Sequence, residues 1–335
     1  MNNETVLSVV VPSYNIEDYI EKSIISFLNI DKKYQEMFEV IIVNDGSKDK
    51  TVQVAEQLIS SQPFNNIRIL NKKNGGHGST INRGLVEAKG KYFKVIDGDD
   101  WVDKLAFEEL LVKLSQIDCD MVITNYTEQY VHEKVSKLIQ PINIGKANQV
   151  QSGVPDSRIP MHSITYKTSV LRDNQIMLTE GIFYVDIQYT LFPLKHIQSW
   201  VYYPLDVYQY LLGRVGQSVN INSYVKNVKH HLIVIESVLK FWKSLDRGTI
   251  LNDVVDTTIV NLLNMQIVIN YCSQNSRKLT SQTLKLLSNY GFKFSYTKAS
   301  KLSSSIILLY KYPFMGVVLR KVVNQKIRNQ FGFEV

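Results

Sequence analysis

The sequence predicts an α/β fold: a doubly wound, mainly parallel sheet followed by a separate helical module. Three observations carry this. Short β-branched apolar runs recur before residue 100, each followed by a helical pattern. Each run stops at a polar or glycine-rich cluster. Beyond about residue 225 strand signals cease and only helical spacing remains.

The first run, Leu7-Ser8-Val9-Val10-Val11, lacks polar alternation, as expected of a strand buried on both faces. It stops at Pro12-Ser13-Tyr14-Asn15, and a helix follows with apolar residues at Tyr19, Ile20, Ile24, Phe27 and Leu28. Phe38–Val43 is the second strand, ending at Asn44-Asp45-Gly46-Ser47, and Thr51–Ile59 is helical. Ile67–Leu70 is the third, followed by the glycine-rich loop Asn74–Ser79 and a helix from Thr80 to Ala88. Tyr92–Ile96 is the fourth and runs into Asp97-Gly98-Asp99-Asp100-Trp101. A helix is expected over Lys104–Ile117, a strand over Cys119–Asn125, and antiparallel strands between Glu128 and Val150. Met161–Leu171 reads as a strand or turn opening a helix, Gly181–Leu194 as an amphipathic helix, and Val207–Tyr210 as an aromatic-rich strand. Helices are expected over Val228–Lys243, Asp253–Gln274, Ser281–Tyr290 and Ile306–Arg328. The boundary is placed near Asn220–Tyr224, giving domains 1–222 and 223–335.

In open parallel sheets, ligands bind outside the carboxyl ends of the strands. All four polar clusters fall there, which points to one cleft. In an extended chain residues two apart face the same side, so Asp97 and Asp99 are expected to point together. Two carboxylates about 4 Å apart repel by roughly 4 kcal/mol at an effective dielectric near 20. A shared proton, a basic neighbour or a hard divalent cation would offset this. Asp100 or Asp103 would alternatively cap the following helix.

The 335 residues carry a net charge of +7. Residues 226–335 hold 16 Lys/Arg against 5 Asp/Glu, a net +11, so residues 1–225 are net −4. Cys119 and Cys272 lack metal-type spacing and read as reduced thiols. The N-terminus has no signal-peptide pattern and no apolar run reaches spanning length, so a cytoplasmic protein is expected.

Taken in order, Val11-Pro12-Ser13-Tyr14-Asn15, Val43-Asn44-Asp45-Gly46-Ser47, Asn74 through Gly84 and Asp97-Gly98-Asp99-Asp100 closely resemble the motifs of the family-2 glycosyltransferases. The resemblance covers about residues 5–220 and implies an inverting enzyme of the GT-A fold. It also implies a nucleotide-sugar donor, most often a UDP-sugar, and Mg²⁺ or Mn²⁺. By that resemblance Pro12 and Tyr14 flank the base, Asp45 accepts from its ring N–H, and Asn15 belongs to the same pocket. Asn74, Gly76 and Ser79 line the nucleotide and ribose. Asp99 is the direct metal ligand, and Asp97 binds ribose or the metal. His77 reads either as a solvated loop residue or as a donor contact. The loop lacks the Gly-Lys-Ser/Thr ending of a P-loop.

Glu180–Asp186 resembles the family segment that usually ends in Glu-Asp, whose Asp is the general base; here Val185 replaces the Glu and Asp186 keeps the position. His162 reads as an acceptor or diphosphate contact, or as a structural histidine. Arg214, between Gly213 and Gly216, resembles part of a segment that closes over donor phosphates.

The resemblance implies transfer to a glycan acceptor, lipid-linked or protein-linked, in bacterial surface polysaccharide or glycoprotein assembly. Two rival readings are a nucleotidyltransferase of similar fold and an inactive nucleotide-sugar-binding module, the latter raised by Val185. The basic segment 300–335 is either a peripheral contact with the inner face of the cell membrane or a packed helix with a solvated basic face. No nucleic-acid motif accompanies its charge.

Overall fold

The computed structural model describes residues 5–61, 66–213, 220–294, 299–312 and 316–331. Arg214 lies outside them. The chain forms two compact units, meeting in sequence at Val215–Gly216.

The first unit contains β1 (Leu7–Ser13), α1 (Ile20–Leu28), β2 (Phe38–Asn44), α2 (Thr51–Ser60), β3 (Ile67–Asn71), α3 (His77–Glu87), β4 (Tyr92–Val95), β5 (Trp101–Val102) and α4 (Lys104–Gln116). It continues with β6 (Met121–Tyr130), β7 (Val135–Ile139), β8 (Val150–Ser152), β9 (Ile164–Lys167), α5 (Thr168–Asp173), α6 (Asp186–Leu191) and β10 (Ser199–Leu212). The sheet order is β3-β2-β1-β4-β9-β6-β10-β5, with β7 on β6 and β8 on β10. The first four strands of that order pair in parallel, as their unalternated apolar runs predict. β6 and β10 run the same way as each other, while β9, inserted between β4 and β6, is antiparallel to both.

That insertion positions the site. An antiparallel strand begins at the edge where its parallel neighbours end. The start of β9 therefore sits beside the carboxyl end of β4 and brings His162, just before it, to the acidic turn.

Two local readings are corrected. The extended geometry expected for Asp97 and Asp99 ends at Val95: the amide of Asp100 donates to the carbonyl of Asp97 (2.9 Å), making a turn. Gly98 allows it, because a Cβ there would stand 2.4 Å from Ile16 Cδ1 and 2.9 Å from the Pro12 carbonyl. The helix expected over Gly181–Leu194 is confined to α6 and a following 3₁₀ turn. Positive φ at Gly181 and Tyr184 keeps the chain out of right-handed helix before Asp186. Of the two capping candidates the sequence offers, Asp103 caps α4, its carboxylate accepting from the Ala106 amide at 2.9 Å.

The second unit contains α7 (Ile221–Lys226), α8 (Val228–Lys243), α9 (Ile250–Cys272), α10 (Ser276–Tyr290), α11 (Lys301–Lys311) and α12 (Gly316–Phe331). The single helix expected over Ile306–Arg328 is two helices. Tyr312, which precedes Pro313, leaves the helical region at φ −128° and ψ 74°, as the residue before a proline tends to. Ile221, Ile269, Ile306, Val323 and Ile327 belong to this unit's apolar core. No helix of the described residues is long and apolar enough to cross a membrane.

Candidate active site

At the β1–β2 end, Asn15 adopts a positive φ of 51°. Its amide donates to Ser47 Oγ (3.0 Å), and its side-chain oxygen accepts from the Lys48 amide (2.8 Å), joining the two strand-end loops. Pro12 accepts from the Gly98 amide at 3.0 Å, tying β1 to the acidic turn. Tyr14 is exposed, an uncovered aromatic at the cleft edge.

Asp45 is buried, and both of its oxygens are in use. Oδ1 accepts from Lys72 Nζ (2.8 Å) and the Gly75 amide (2.9 Å), and Oδ2 accepts from the Gly76 amide (2.7 Å). Asn74 adds a bond to the Asp45 carbonyl (2.9 Å), and Ser79 Oγ accepts from Lys72 and donates to the Gly76 carbonyl. Asp45, Asn74, Gly76 and Ser79 thus meet in one hydrogen-bonded loop, with Asp45 as its anchor.

The loop packs directly on the segment leading to Asp186. The Gly181 amide donates to the Gly75 carbonyl at 2.6 Å. A Cβ on Gly78 would stand 2.5 Å from the Thr179 carbonyl, and one on Gly76 would stand 3.3 Å from the Gly181 nitrogen. On α3, Asn82 donates to the Leu178 carbonyl (2.9 Å) and to Glu180 (3.1 Å). The loop therefore sets where α6 begins and places its first residue, Asp186, within electrostatic reach of His77 and Asp97.

The charged cluster forms where these pieces converge. His77 Nε2 donates to Asp97 Oδ1 at 2.8 Å. Burial opposes a proton on His77, but the charges of Asp97, Asp186 and Asp99 and the Asp97 hydrogen bond outweigh it, raising its pKa. Burial raises the pKa of Asp186; Arg158 and His77 oppose this and Asp97 adds to it. Burial is also the main reason that Asp100 lies well above the usual carboxylate range, with repulsion from Asp99 and Asp97 adding to it. Asp100 accepts from the Tyr208 hydroxyl and from the Leu211 amide (2.7 Å). The Tyr208 oxygen in turn accepts from the Asp97 amide at 3.2 Å.

His162 lies among three tyrosine rings. It stacks on Tyr210 at 4.2 Å between centroids and contacts Tyr208 and Tyr126 at 4.8 and 4.9 Å. Its Nδ1 is buried with no hydrogen-bond partner. Burial lowers its pKa to about 4, so near neutral pH the imidazole keeps a free lone pair. One ligand atom each from Asp97, Asp100 and His162 lie within 4.8 Å of one another. That set fits a divalent cation: two hard oxygen donors, and an orphaned nitrogen without a competing proton. Asp99, expected from the resemblance to be the direct ligand, lies outside this set of three and adds charge to the turn. A cavity of about 470 Å³ lies elsewhere, bounded by α4 residues such as Lys113 and β10 residues such as Tyr203, and shares no residue with the cluster.

His77, Asp100, Lys94 and Tyr208 stand closer to the chemistry than the motifs imply. A signal for Lys94 is present in the sequence, since it is the one charge inside the apolar run Tyr92–Ile96. Tyr208 carries no such signal, because its role depends on β10 entering the sheet beside β6.

The glycosyl transferase family 2 profile matches residues 8–174, which hold all four strand-end motifs. The chain is a family-2 glycosyltransferase. This glycosyltransferase is similar to the uncharacterized glycosyltransferase EpsJ of Bacillus subtilis, 34% identical over 37% of this chain and 34% of EpsJ, so it spans about a third of that relative's length. Its fold is similar to that of S. aureus TarS 1-349, solved in complex with UDP-GlcNAc (TM-score 0.60, 17% identity, 97% of this chain and 92% of that one). It is also similar to the mannosyltransferase PcManGT from Pyrobaculum calidifontis, solved with GDP-Man and Mn²⁺ (TM-score 0.57, 13% identity, 98% and 88%). Family membership leaves the nucleotidyltransferase reading without support.

Proposed function

We propose that this glycosyltransferase moves a sugar, with inversion, from a nucleoside diphosphate donor, a UDP-sugar, to a hydroxyl of a bacterial surface glycan acceptor, lipid-linked or protein-linked. The observation that carries this is the convergence of Asp97, Asp100, His162, His77 and Asp186 at the carboxyl ends of β1, β2 and β4. Solved structures of similar fold hold UDP-GlcNAc, UDP or GDP-Man, which supports the donor class.

Pro12 and exposed Tyr14 would flank the base, with Asn15 fixing the loop beneath them. Asp45 acts here as anchor of the covering loop. Among the described residues its Oδ2 accepts only from Gly76, which leaves one acceptor site for the base's ring N–H. Gly76, Asn74 and Ser79 would shape the ribose side, and Arg214, outside the described residues, would meet the diphosphate.

Asp97, Asp100 and His162 would hold the cation, with Asp99 completing the acidic field. An imidazole beside two carboxylates favours Mn²⁺ over Mg²⁺. When bound, the cation neutralises charge developing on the leaving diphosphate. His77 holds the Asp97 carboxylate in place. Asp186 would take the proton from the acceptor hydroxyl as that oxygen attacks the anomeric carbon. Its raised pKa makes it a stronger base than an exposed aspartate. Val185 is buried, so the residue in the family's Glu position packs in the core and leaves Asp186 to be tuned by Arg158 and His77.

A panel of nucleotide sugars screened by thermal shift with and without Mn²⁺ tests the reading, since a ligand bound to the native state raises Tm. One UDP-sugar should raise Tm far more with Mn²⁺ than without. A flat response across the panel would remove the donor assignment.

The second unit supports peripheral contact with an anionic membrane at the cytoplasmic face. Arg320, Lys321, Lys326 and Arg328 are exposed on α12, which has no acidic residue, and Leu308, Tyr312 and Val322 are exposed apolar groups. Deleting 300–335 would also remove core residues Ile306, Val323 and Ile327, so replacing the four cations with Gln is the cleaner test. That variant should lose flotation with phosphatidylglycerol vesicles; undiminished flotation would exclude the contact.

A further inference from the structure

Lys94 is fully buried in the middle of β4. Its ammonium donates to two carbonyls, His162 (2.9 Å) and Ile164 (3.2 Å), and it forms no ion pair among the described residues. The Tyr208 ring lies 5.9 Å away. Burial lowers its pKa to about 7, so taking the amine out of water is costly, and an apolar side chain of similar length would fill the same space without that cost. As a mere filler, the residue makes no physical sense.

What it holds gives the reason. The carbonyls of His162 and Ile164 flank Ser163, so one ammonium grips both sides of the turn that enters β9. The His162 ring leaves from the same turn to meet Asp97 and Asp100. The backbone of the two aspartates is fixed separately, by the Asp100–Asp97 turn and by Tyr208. β9 pairs with β4 further along, at Phe93–Tyr166 and Tyr92–Lys167, and Thr124 Oγ1 donates to the Ser163 carbonyl, but Lys94 is the β4 side chain that reaches the turn itself.

We propose that Lys94 is a positioning residue for the metal centre: by clamping the carbonyls of His162 and Ile164 it fixes the His162 imidazole against Asp97 and Asp100. The inference rests on the metal reading above; Lys94 lies three residues before Asp97 in sequence, and the hydrogen bonds of its amine go to backbone carbonyls.

The test is Mn²⁺ binding to the full chain, measured by electron paramagnetic resonance titration, in wild type, Lys94→Met, His162→Ala and the double variant. Lys94→Met should weaken Mn²⁺ about 10-fold or more, the size typical of lost outer partners of a metal ligand. In the His162→Ala background the same change should cost little further, because the group being positioned is gone. In ¹⁵N-histidine spectra the His162 ring signals should shift or broaden in Lys94→Met while those of His231 stay in place. A lower Tm with unchanged Mn²⁺ affinity and unchanged His162 signals would reduce Lys94 to a structural residue and overturn the inference. A wild type that takes up no Mn²⁺ would overturn the metal reading and this one with it. Should Met at 94 not fold, Lys94→Leu, which also removes the donor, carries the same comparison: unweakened Mn²⁺ binding with altered Tm counts against the clamp.

Discussion

The two units bury polar side chains in opposite ways. In the helical unit, His231 Nδ1 donates to Gln266 (2.7 Å), Gln266 to Asn270 (2.6 Å), Asn270 to Thr283 (3.0 Å) and Thr283 to the Leu279 carbonyl (2.9 Å). Those groups are uncharged at neutral pH and join α8, α9 and α10. At the strand ends of the first unit, half-buried Asp97 and Asp99 and buried Asp100 repel one another when ionised, and each raises the proton affinity of its neighbours. A satisfied neutral network selects one packing of helices. Repelling carboxylates are stabilised by opposite charge, which His77 supplies to Asp97.

That contrast can be broken or sharpened by substitution. The largest effect is expected at Asp186→Asn, which should lower kcat by about 10²–10⁴-fold while UDP affinity, read by calorimetry, persists. Retained turnover would move the base elsewhere. In wild type the base works only when ionised, and its folded pKa is raised. Activity should therefore fall with decreasing pH at a higher pH than for an ordinary aspartate, and kcat/KM against pH should show that limb.

Next comes a pair of opposite signs. Gln266→Leu leaves His231 and Asn270 without their partner in the core and should destabilise by about 1–3 kcal/mol in urea melts. Asp100→Asn should instead hold or raise the Tm of the metal-free protein at pH 7. The sign follows from linkage: a carboxyl whose folded pKa lies above its unfolded value binds its proton more tightly when folded. Stability is then lost as pH rises from the unfolded value towards the folded one, and Asn avoids that loss. The same Asp100→Asn change should weaken Mn²⁺, so apo stability and metal affinity move apart. A fall in both would make Asp100 an ordinary structural acid.

The smallest effect concerns acid. His162 and His231 are both held to about 4 by burial. The unfolded chain takes up those protons at the usual 6.5, so stability should decline as pH drops from about 6.5 towards about 4. His231→Gln should flatten part of that decline without touching Mn²⁺ binding, which Tm against pH would show. An unchanged slope would mean that His231 is already wetted.

The parallel half of the sheet was legible because β1, β2 and β4 are buried on both faces and carry uninterrupted apolar runs. The strand-end motifs were legible because local spacing alone brings them to one edge. What was hidden depends on distant pairing. The approach of Asp97, Asp100 and His162 to within 4.8 Å needs the turn after Val95 and the antiparallel entry of β9, neither of which leaves a periodic mark. His77 could not be separated from a solvated loop residue until Asp97 and Asp186 were placed around it. The break between α11 and α12 was written plainly as Pro313, and the apolar run around it obscured the signal.

The buried carboxylate of Asp45 has one more consequence. Lys72, Gly75 and Gly76 are held by it through hydrogen bonds of the protein itself. Freezing a residue's backbone costs about 1–2 kcal/mol of conformational entropy, and here that ordering is completed when the chain folds. An arriving donor meets a pre-shaped rim, so its own contacts go into affinity instead of taming a floppy loop.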